Sequence, residues 1–197
     1  MRFANETIID KEIKLFDNEV NFLGPNLIIK NCNIISNCNS KALSFNDVKL
    51  VDTVFDSKVL LKNFEWNRVC LEGVTFIGHY SGCDFGSLKE FDDEVGHVMN
   101  CNFSQTVLDG CRFMNCNPET IVFPKWPCFT ILEPNRHSGE LKLEKWPGDI
   151  GMIMEIFTDS PSGTSAVTGY ATEIVSQLGG GVEDFKAMLR QFDYVML

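Results

Sequence analysis

The first 85 residues of the chain repeat themselves at an offset of 21 residues. The segments that superpose are ETIIDKEI (6–13), LIIKNCNI (27–34), VKLVDTVF (48–55) and VCLEGVTF (69–76). Large apolar residues recur within the repeat in steps of about five, which fits neither the 3.6-residue period of a helix nor the two-residue period of a strand. One such repeat cannot bury its apolar residues alone, so neighbouring repeats must stack and share a core.

Aligning the repeats gives four columns of residues, mostly large and apolar, that are expected to point into this core. They are Ile8, Ile29, Leu50 and Leu71; Ile13, Ile34, Phe55 and Phe76; Phe22, Leu43, Phe64 and Phe85; and Phe3, Gly24, Phe45 and Trp66. After one longer turn, with an offset of 37 residues instead of 21, the columns are expected to continue at Phe103, Leu108 and Phe113, and Val122 is expected to extend the third column. Four columns in each repeat predict a four-sided tube of short parallel strands that stack about 4.8 Å apart.

Two other positions of the repeat fit a narrow tube. Residues two before a column residue are small and are expected to face inward, as at Cys32, Thr53, Val74 and Cys111. A corner position is occupied by residues that tolerate turn geometry, namely Asp10, Asn31, Asp52, Gly73 and Gly110. Several of the eight cysteines fall in the inward positions, so buried, reduced thiols are expected rather than disulfides.

The stretches CDFGS (83–87), CNFSQ (101–105), TVLDG (106–110) and CRFMN (111–115) resemble the motif A-(D/N)-L-x-x of the pentapeptide-repeat family. The resemblance covers about residues 1–125. It implies a mainly β fold, a right-handed quadrilateral β-helix. The 21-residue turn departs from the family's usual multiple of five, and a different small β-solenoid could produce the same periodicity.

An insertion interrupts the repeat at one corner, at about residues 86–101. Solenoids commonly place insertions on their binding face. Ser87 and Glu90 have the spacing of a capping box and Gly96 follows, so a short helix is predicted between them. The candidate partner-binding residues are Glu90, Phe91, Asp92, Asp93 and Glu94. A solvated loop with no partner is the alternative interpretation.

Residues 126–197 are predicted to form an α+β segment that caps the open end of the solenoid, because that end would expose unpaired strand edges. The expected elements are strands at 139–146 and 150–157, a helix at 164–178 and an amphipathic helix at 182–197.

Composition and motifs limit the chemistry to be expected. The net charge of −10 disfavours direct binding of nucleic acid. No apolar run approaches the ~20 residues of a membrane span, and the charged start MRFANETIIDKEIK does not resemble a signal peptide, so a cytoplasmic location is expected. The pairs His79/Cys83 and His97/Cys101 do not predict a zinc site, because both cysteines occupy inward positions. Neither an enzyme active site nor a cofactor or metal is expected.

These observations favour a non-catalytic, protein-binding inhibitor whose partner is basic. The hypothesis is an immunity protein that neutralises a basic, nuclease-like bacterial toxin, because acidic surfaces attract proteins built to bind phosphate. A DNA-mimic regulator of gyrase or another DNA-binding enzyme is the alternative, as some pentapeptide-repeat proteins resemble duplex DNA in width and charge. An adaptor without inhibitory activity is the third hypothesis.

Overall fold

Parallel strands stacked along the chain form the first part of the molecule in a computed structural model, which describes residues 1–87 and 96–197. In chain order these strands are β1 (Arg2–Phe3), β2 (Glu6–Ile9), β3 (Glu12–Leu15), β4 (Asn21–Leu23), β5 (Leu27–Lys30), β6 (Asn33–Ser36), β7 (Leu43–Phe45), β8 (Val48–Val51), β9 (Val54–Ser57), β10 (Leu61–Lys62), β11 (Val69–Glu72), β12 (Thr75–Ser81), β13 (Asp84–Phe85), β14 (His97–Met99), β15 (Asn102–Asp109) and β16 (Arg112–Met114). The C-terminal part contains β17 (Cys128–Leu132), α1 (Ser138–Leu141), α2 (Ile150–Thr158), β18 (Thr164–Tyr170), α3 (Ala171–Leu178), α4 (Val182–Leu189) and β19 (Val195–Met196). Short 3₁₀ turns lie at Ser40–Ala42 and Pro118–Thr120.

The strands form the sides of a parallel β-solenoid of about four turns. The first side stacks β2, β5, β8, β11 and β14, and the second stacks β3, β6, β9, β12 and β15. The strand β12 pairs with β9 through its first half and with β10 through its second half, so it passes over a corner and continues along a third side. A further side contains β1, β4 and β7, and β13 pairs with β16 later in the chain. The mainly β solenoid fold with C-terminal helices is therefore confirmed.

Stacked aromatic rings fill the interior of the later turns. The rings of Phe76 and Phe103 are parallel, with centroids 4.5 Å apart. Trp66 stacks on Phe85 at 5.8 Å, and Phe85 stacks on Phe113 at 5.0 Å. Offset stacking of this kind adds to the free energy gained by burying the rings. In the first two predicted columns all members except Ile8 are buried, which confirms that these columns line the core.

Several members of the predicted columns are wrong, and the first two are Gly24 and Phe22. The register places Leu23 between Phe3 and Phe45, so Gly24 is not in that column. Because side chains alternate along β4, this one-residue shift turns Phe22 outward, where 48% of it is exposed. Asn21 takes the inward place and its amide donates to the carbonyl oxygens of Phe16 and Ala42, at 2.8 and 3.2 Å.

The offset of 37 residues predicted for the longer turn is also wrong, because Phe103 stacks on Phe76 and because Val98, not Leu108, pairs with Leu71. Val122, predicted to extend the third column, is 54% exposed. Its neighbours Ile121 and Phe123 are buried instead, and Phe113 is the residue that stacks on Phe85. The predicted line of small inward residues, Cys32, Thr53, Val74 and Cys111, also has a wrong last member. The amide of Asn102 donates to the Val74 carbonyl oxygen, so it is Cys101 that follows Val74 in that line.

The backbone confirms turn geometry at the five predicted corner residues, but Gly110 lies at a different corner from the other four. The Gly73 amide donates to the Met99 carbonyl oxygen, so Asn100 follows Gly73, whereas the Gly82 amide donates to the Asp109 carbonyl oxygen, so Gly110 follows Gly82. All five residues predicted at corners have φ between +48° and +64°, the left-handed region that Asn, Asp and Gly adopt at least cost. Each of these corners leads from the end of one strand into the next, so the corner residue permits the chain to change direction. The five residues are Asp10, Asn31, Asp52, Gly73 and Gly110.

The predicted elements of the C-terminal part are largely wrong. Residues 139–146 and 150–157, predicted as strands, overlap the helices α1 and α2. The segment IGMIMEIF (150–157) buries Ile150, Met154 and Phe157, which recur at helical spacing, while its other apolar residues stay partly or fully exposed. A short apolar run fits both periods, and packing against the C-terminal core selects the helix.

The predicted helix at 164–178 is half strand. Thr164–Tyr170 forms β18, which pairs antiparallel with β16 on one edge and with β17 on the other. The helix α3 begins only at Ala171. The final helix α4 ends at Leu189, and Val195–Met196 pairs with β17 rather than continuing the predicted helix. The strand β18 therefore covers the edge that β16 would otherwise expose and joins the solenoid to the C-terminal part.

Candidate functional site

The five candidate partner-binding residues, Glu90, Phe91, Asp92, Asp93 and Glu94, lie outside the described residues, as does most of the short helix predicted there. His97–Met99, within the predicted bounds of about 86–101, form β14 and pair with β11 of the first side. The structure also describes both ends of the remaining segment, 88–95. The buried Ser87 precedes it, and the Ser87 carbonyl oxygen accepts a hydrogen bond from the Asn115 side chain at 2.7 Å. Gly96 follows it and donates its amide to the Asn67 carbonyl oxygen at 3.1 Å. The insertion therefore leaves and rejoins the solenoid at two fixed points.

A row of polar side chains continues from the second of these points across the outer face of the first side. Lys49, Cys70 and His97 are neighbours in register on β8, β11 and β14. One carboxylate oxygen of Glu72 lies 2.8 Å from Lys49 Nζ and 3.0 Å from His97 Nε2. This carboxylate links the strand that follows the insertion to the two strands stacked before it.

The Glu72 contacts predict a pH-dependent contribution to stability. The hydrogen bond from Lys49, and then that from His97, lower the pKa of Glu72. A lowered folded-state pKa means that this stabilisation is present above the unfolded value of about 4.3 and is lost as the pH falls through the folded value. We expect Glu72→Gln to lower the free energy of unfolding by about 0.5–1 kcal/mol at pH 7, because the pair is partly exposed, and by less at pH 3.

Urea denaturation of both proteins at the two pH values measures this difference. The matched control is Glu12→Gln, which removes an exposed ion pair to Lys14 within β3 and should change stability by less than about 0.5 kcal/mol. Equal effects of the two substitutions at pH 7 would contradict a special role for Glu72.

Negative charge is concentrated in two parts of the sequence. Residues 1–87 contain eleven acidic and nine basic residues, and residues 126–197 contain ten acidic and five basic residues. Residues 88–95, within the insertion, contribute four acidic residues and one lysine. The solenoid before the insertion is therefore nearly balanced, and the acidity belongs to the insertion and the C-terminal part.

A wide groove lies where the last turn of the solenoid meets the C-terminal part. It has a volume of about 940 Å³ and is lined by residues in four segments, 115–119, 132–137, 162–165 and 193–194. Backbone hydrogen bonds hold these segments together: Asn115 donates to Gly163 at 2.8 Å, and Leu132 donates to Tyr194 at 3.0 Å. The volume is within the range of pockets that bind small molecules or single side chains of a partner.

Two aromatic rings form one wall of the groove. The His137 and Tyr194 rings are stacked with centroids 3.5 Å apart and planes 10° apart. The Tyr194 hydroxyl donates to a carboxylate oxygen of Glu140 at 2.9 Å. Partial burial and this carboxylate raise the pKa of Tyr194, so the hydroxyl stays protonated at neutral pH. Stacking at one face and a hydrogen bond at the hydroxyl fix the orientation of the tyrosine ring.

Carboxylates outnumber cations around these rings. Glu119, Glu133 and Asp193 line the groove together with one cation, Arg136. Arg136 Nη1 lies 2.8 Å from Glu133 Oε2 in an exposed ion pair, which neutralises one of the three carboxylates. The groove thus combines an aromatic wall with excess negative charge.

The sequence did not predict this groove. His137 and Glu140 are close in the sequence, but a single polar pair is weak evidence for a site, and in the structure Glu140 contacts Tyr194. The four segments are separated by as many as 78 positions, from 115 to 193. No local motif connects them, so only the fold brings them together.

All eight cysteines lie in the described residues as free thiols. Burial raises the pKa of Cys101 to about 11, and burial also raises the pKa of Cys70. Both thiols are therefore mainly protonated at neutral pH, a state in which a thiol is a poor nucleophile. Within residues 1–87 and 96–197, no three His, Cys, Asp or Glu side chains are grouped closely enough to hold a metal ion. The helices of the same residues include none that is long and apolar enough to cross a bilayer.

The fold and surface define the chain as a parallel β-solenoid closed by an acidic α+β cap. Comparisons with protein-family models, with curated proteins and with solved structures give no match to this chain. The relation to the pentapeptide-repeat family is thus a prediction, of which the β-solenoid is the part that the structure shows.

Proposed function

We propose that this protein is a non-catalytic inhibitor that binds a basic protein. The observation that carries the proposal is the uneven charge: the insertion and the C-terminal part hold most of the excess acidic residues, whereas residues 1–87 are nearly neutral. A concentrated negative surface attracts a basic partner and speeds its association, and this advantage decreases with salt.

The partner class that fits this surface best is a basic, nuclease-like toxin. A nuclease must attract phosphate, so its active site is surrounded by cations that an acidic protein can cover. In this proposal the chain is an immunity protein acting in the cytoplasm, and the insertion with Asp92, Asp93 and Glu94 contributes to the interface.

The DNA-mimic hypothesis ranks second. A mimic of duplex DNA needs acidic residues along the whole rod, whereas residues 1–87 are nearly balanced in charge. A gyrase supercoiling assay separates the two hypotheses: inhibition or protection of gyrase by the purified protein would favour mimicry.

Partner capture with the full chain from its native cell tests the first proposal. We expect the captured protein to be basic, to arrest growth when it is expressed alone, and to be harmless when it is expressed together with this chain. Recovery of no basic protein, or of a basic protein that is not toxic, would overturn the immunity hypothesis.

Charge reversal then tests the contribution of the insertion. We expect the triple variant Asp92→Lys, Asp93→Lys, Glu94→Lys to slow association by about tenfold or more at low salt, because steering depends on local charge. Stopped-flow or surface plasmon resonance measures the rate. The matched control reverses three exposed acids of the first turns, Glu6, Glu12 and Asp17, and should change the rate by less than about threefold. Equal slowing by both variants would show that net charge, not the insertion, controls binding.

A further inference from the structure

We propose that the groove between the solenoid and its cap binds an arginine side chain of a partner protein. This inference deepens the proposed function, on which it rests for the partner, but the groove can be tested on the isolated chain. Binding of an arginine side chain requires an aromatic surface on which the planar cation can stack and carboxylates with which it can pair.

The stacking surface is the pair of rings His137 and Tyr194. Their mutual stacking, at 3.5 Å, and the hydrogen bond from Tyr194 to Glu140 hold them in place before any ligand arrives. The backbone supports them as well, because the Tyr194 carbonyl accepts from Leu132 and the next residue, Val195, pairs with β17. A preorganised aromatic surface loses little entropy when a ligand stacks on it.

The pairing groups are Asp193 and Glu119, which line the groove without an ion-pair partner among the described residues. Asp193 is adjacent in sequence to Tyr194, so its charge lies close to the aromatic wall. The exposed pair of Arg136 with Glu133 shows that a guanidinium already lies at the edge of this groove, paired with one of its carboxylates. An incoming guanidinium would find the other two carboxylates available.

Arginine fits this combination better than lysine or a neutral side chain. Its guanidinium is planar, stacks on aromatic rings and pairs with carboxylates through several donors, whereas the lysine ammonium is a compact and strongly hydrated charge. The groove volume of about 940 Å³ leaves room for the side chain and the backbone on either side of it.

Titration of the full-length protein with N-acetyl-arginine amide tests the proposal, followed by NMR on the ring resonances of His137 and Tyr194. The comparison probes are N-acetyl-lysine amide and N-acetyl-citrulline amide, which is neutral and nearly isosteric with the arginine probe. We expect affinity to fall in the order arginine, lysine, citrulline. Equal affinity for arginine and citrulline would overturn recognition of the guanidinium.

Variants with opposite expected effects locate the site. Asp193→Asn should weaken binding of the arginine probe by about threefold, and Arg136→Gln should strengthen it by about threefold, because each changes one charge at an exposed site. The control Glu183→Gln removes the same charge from α4, which does not line the groove, and should leave affinity unchanged. If Glu183→Gln acts as strongly as Asp193→Asn, the probe is held by net charge and the groove is not the site.

Two substitutions of Tyr194 separate stacking from folding. Tyr194→Phe keeps the ring and removes the hydrogen bond to Glu140, so it should retain most of the affinity. Tyr194→Ala removes the ring and should weaken binding by about threefold, the size of an exposed cation–π contact. Circular dichroism establishes that each variant is folded, and equal affinity in Tyr194→Ala would overturn the stacking role.

The outcome of the titration with the arginine probe does not depend on the outcome of partner capture. Selective binding of the arginine probe without any captured toxin would leave the groove assigned and the immunity hypothesis contradicted. Capture of a toxin by a chain that does not bind the probe would support the immunity hypothesis and reject the groove as its arginine site.

Discussion

Replacement of Phe76 by alanine is expected to lower the free energy of unfolding by about 3–5 kcal/mol. Phe76 is fully buried at the centre of the solenoid. Its ring stacks on Phe103 and makes edge or tilted contacts with four more aromatic rings, those of Phe55, Trp66, Tyr80 and Phe85. Alanine removes all of these contacts and leaves a cavity, which the neighbouring turns of the solenoid would have to fill.

Urea denaturation followed by tryptophan fluorescence measures this loss, since Trp66 lies in contact with Phe76. If the alanine variant does not fold, Phe76→Leu provides a smaller step, with a cost of about 1–2 kcal/mol. The matched control is Phe22→Ala, which removes the same ring from an exposed position and should change stability by less than about 1 kcal/mol. Similar costs at positions 76 and 22 would contradict the register described for β4.

The contrast between these two phenylalanines shows how far the sequence could predict the fold. The repeat specifies the solenoid because the same spacing recurs in turn after turn, and chance matches cannot sustain it. It does not specify each register, since a turn that is one residue shorter or longer keeps the same apolar content. The turn from Phe3 to Leu23 and the turn from Leu23 to Phe45 differ in this way, and Phe22 faces solvent as a result.

The C-terminal part was harder to predict because it does not repeat. The run IGMIMEIF has apolar residues at both strand and helix spacing, and only the neighbouring helices and β17 decide between them. The residues 164–170 include Val167 and Tyr170 and two threonines, which favour a strand, and they form β18 against the edge that β16 offers. In both segments the sequence is compatible with the observed element, and tertiary contacts select it from the alternatives.

The insertion and the groove, the two candidate interfaces, also differ in how far the sequence could predict them. The existence of the insertion could be predicted from the sequence, because extra residues interrupt a regular period. Its predicted length of sixteen residues is wrong, since Val98 pairs with Leu71 after 27 residues, six more than the repeat of 21. The groove could not, because its aromatic wall and its carboxylates come from segments that share no motif. Its position follows from the way β18 ties the cap onto the last turn, so the same contact that closes the solenoid also creates the groove.

The corner within β12 gives the second large expected effect: Gly78→Ala should lower the free energy of unfolding by about 2–5 kcal/mol. Gly78 has φ of +116°, a conformation that strains any residue with a side chain. A Cβ at this position would also press against the carbonyl oxygen of Ser57 on the stacked turn, and backbone cannot move aside as a flexible side chain can. The backbone strain and the steric contact both arise at the point where the pairing of β12 changes from β9 to β10.

Thermal and urea denaturation of Gly78→Ala measure this cost, and Gly139→Ala is its control. Gly139 lies in α1 with open space around the position of a Cβ and without positive φ, so alanine there should be neutral or stabilise the protein by up to about 1 kcal/mol. Wild-type stability in Gly78→Ala would mean that β12 does not turn a corner at this residue. The loss, if observed, shows that the corner within β12 depends on a residue without a side chain, because the backbone of Gly78 lies close to the Ser57 carbonyl oxygen of the stacked turn.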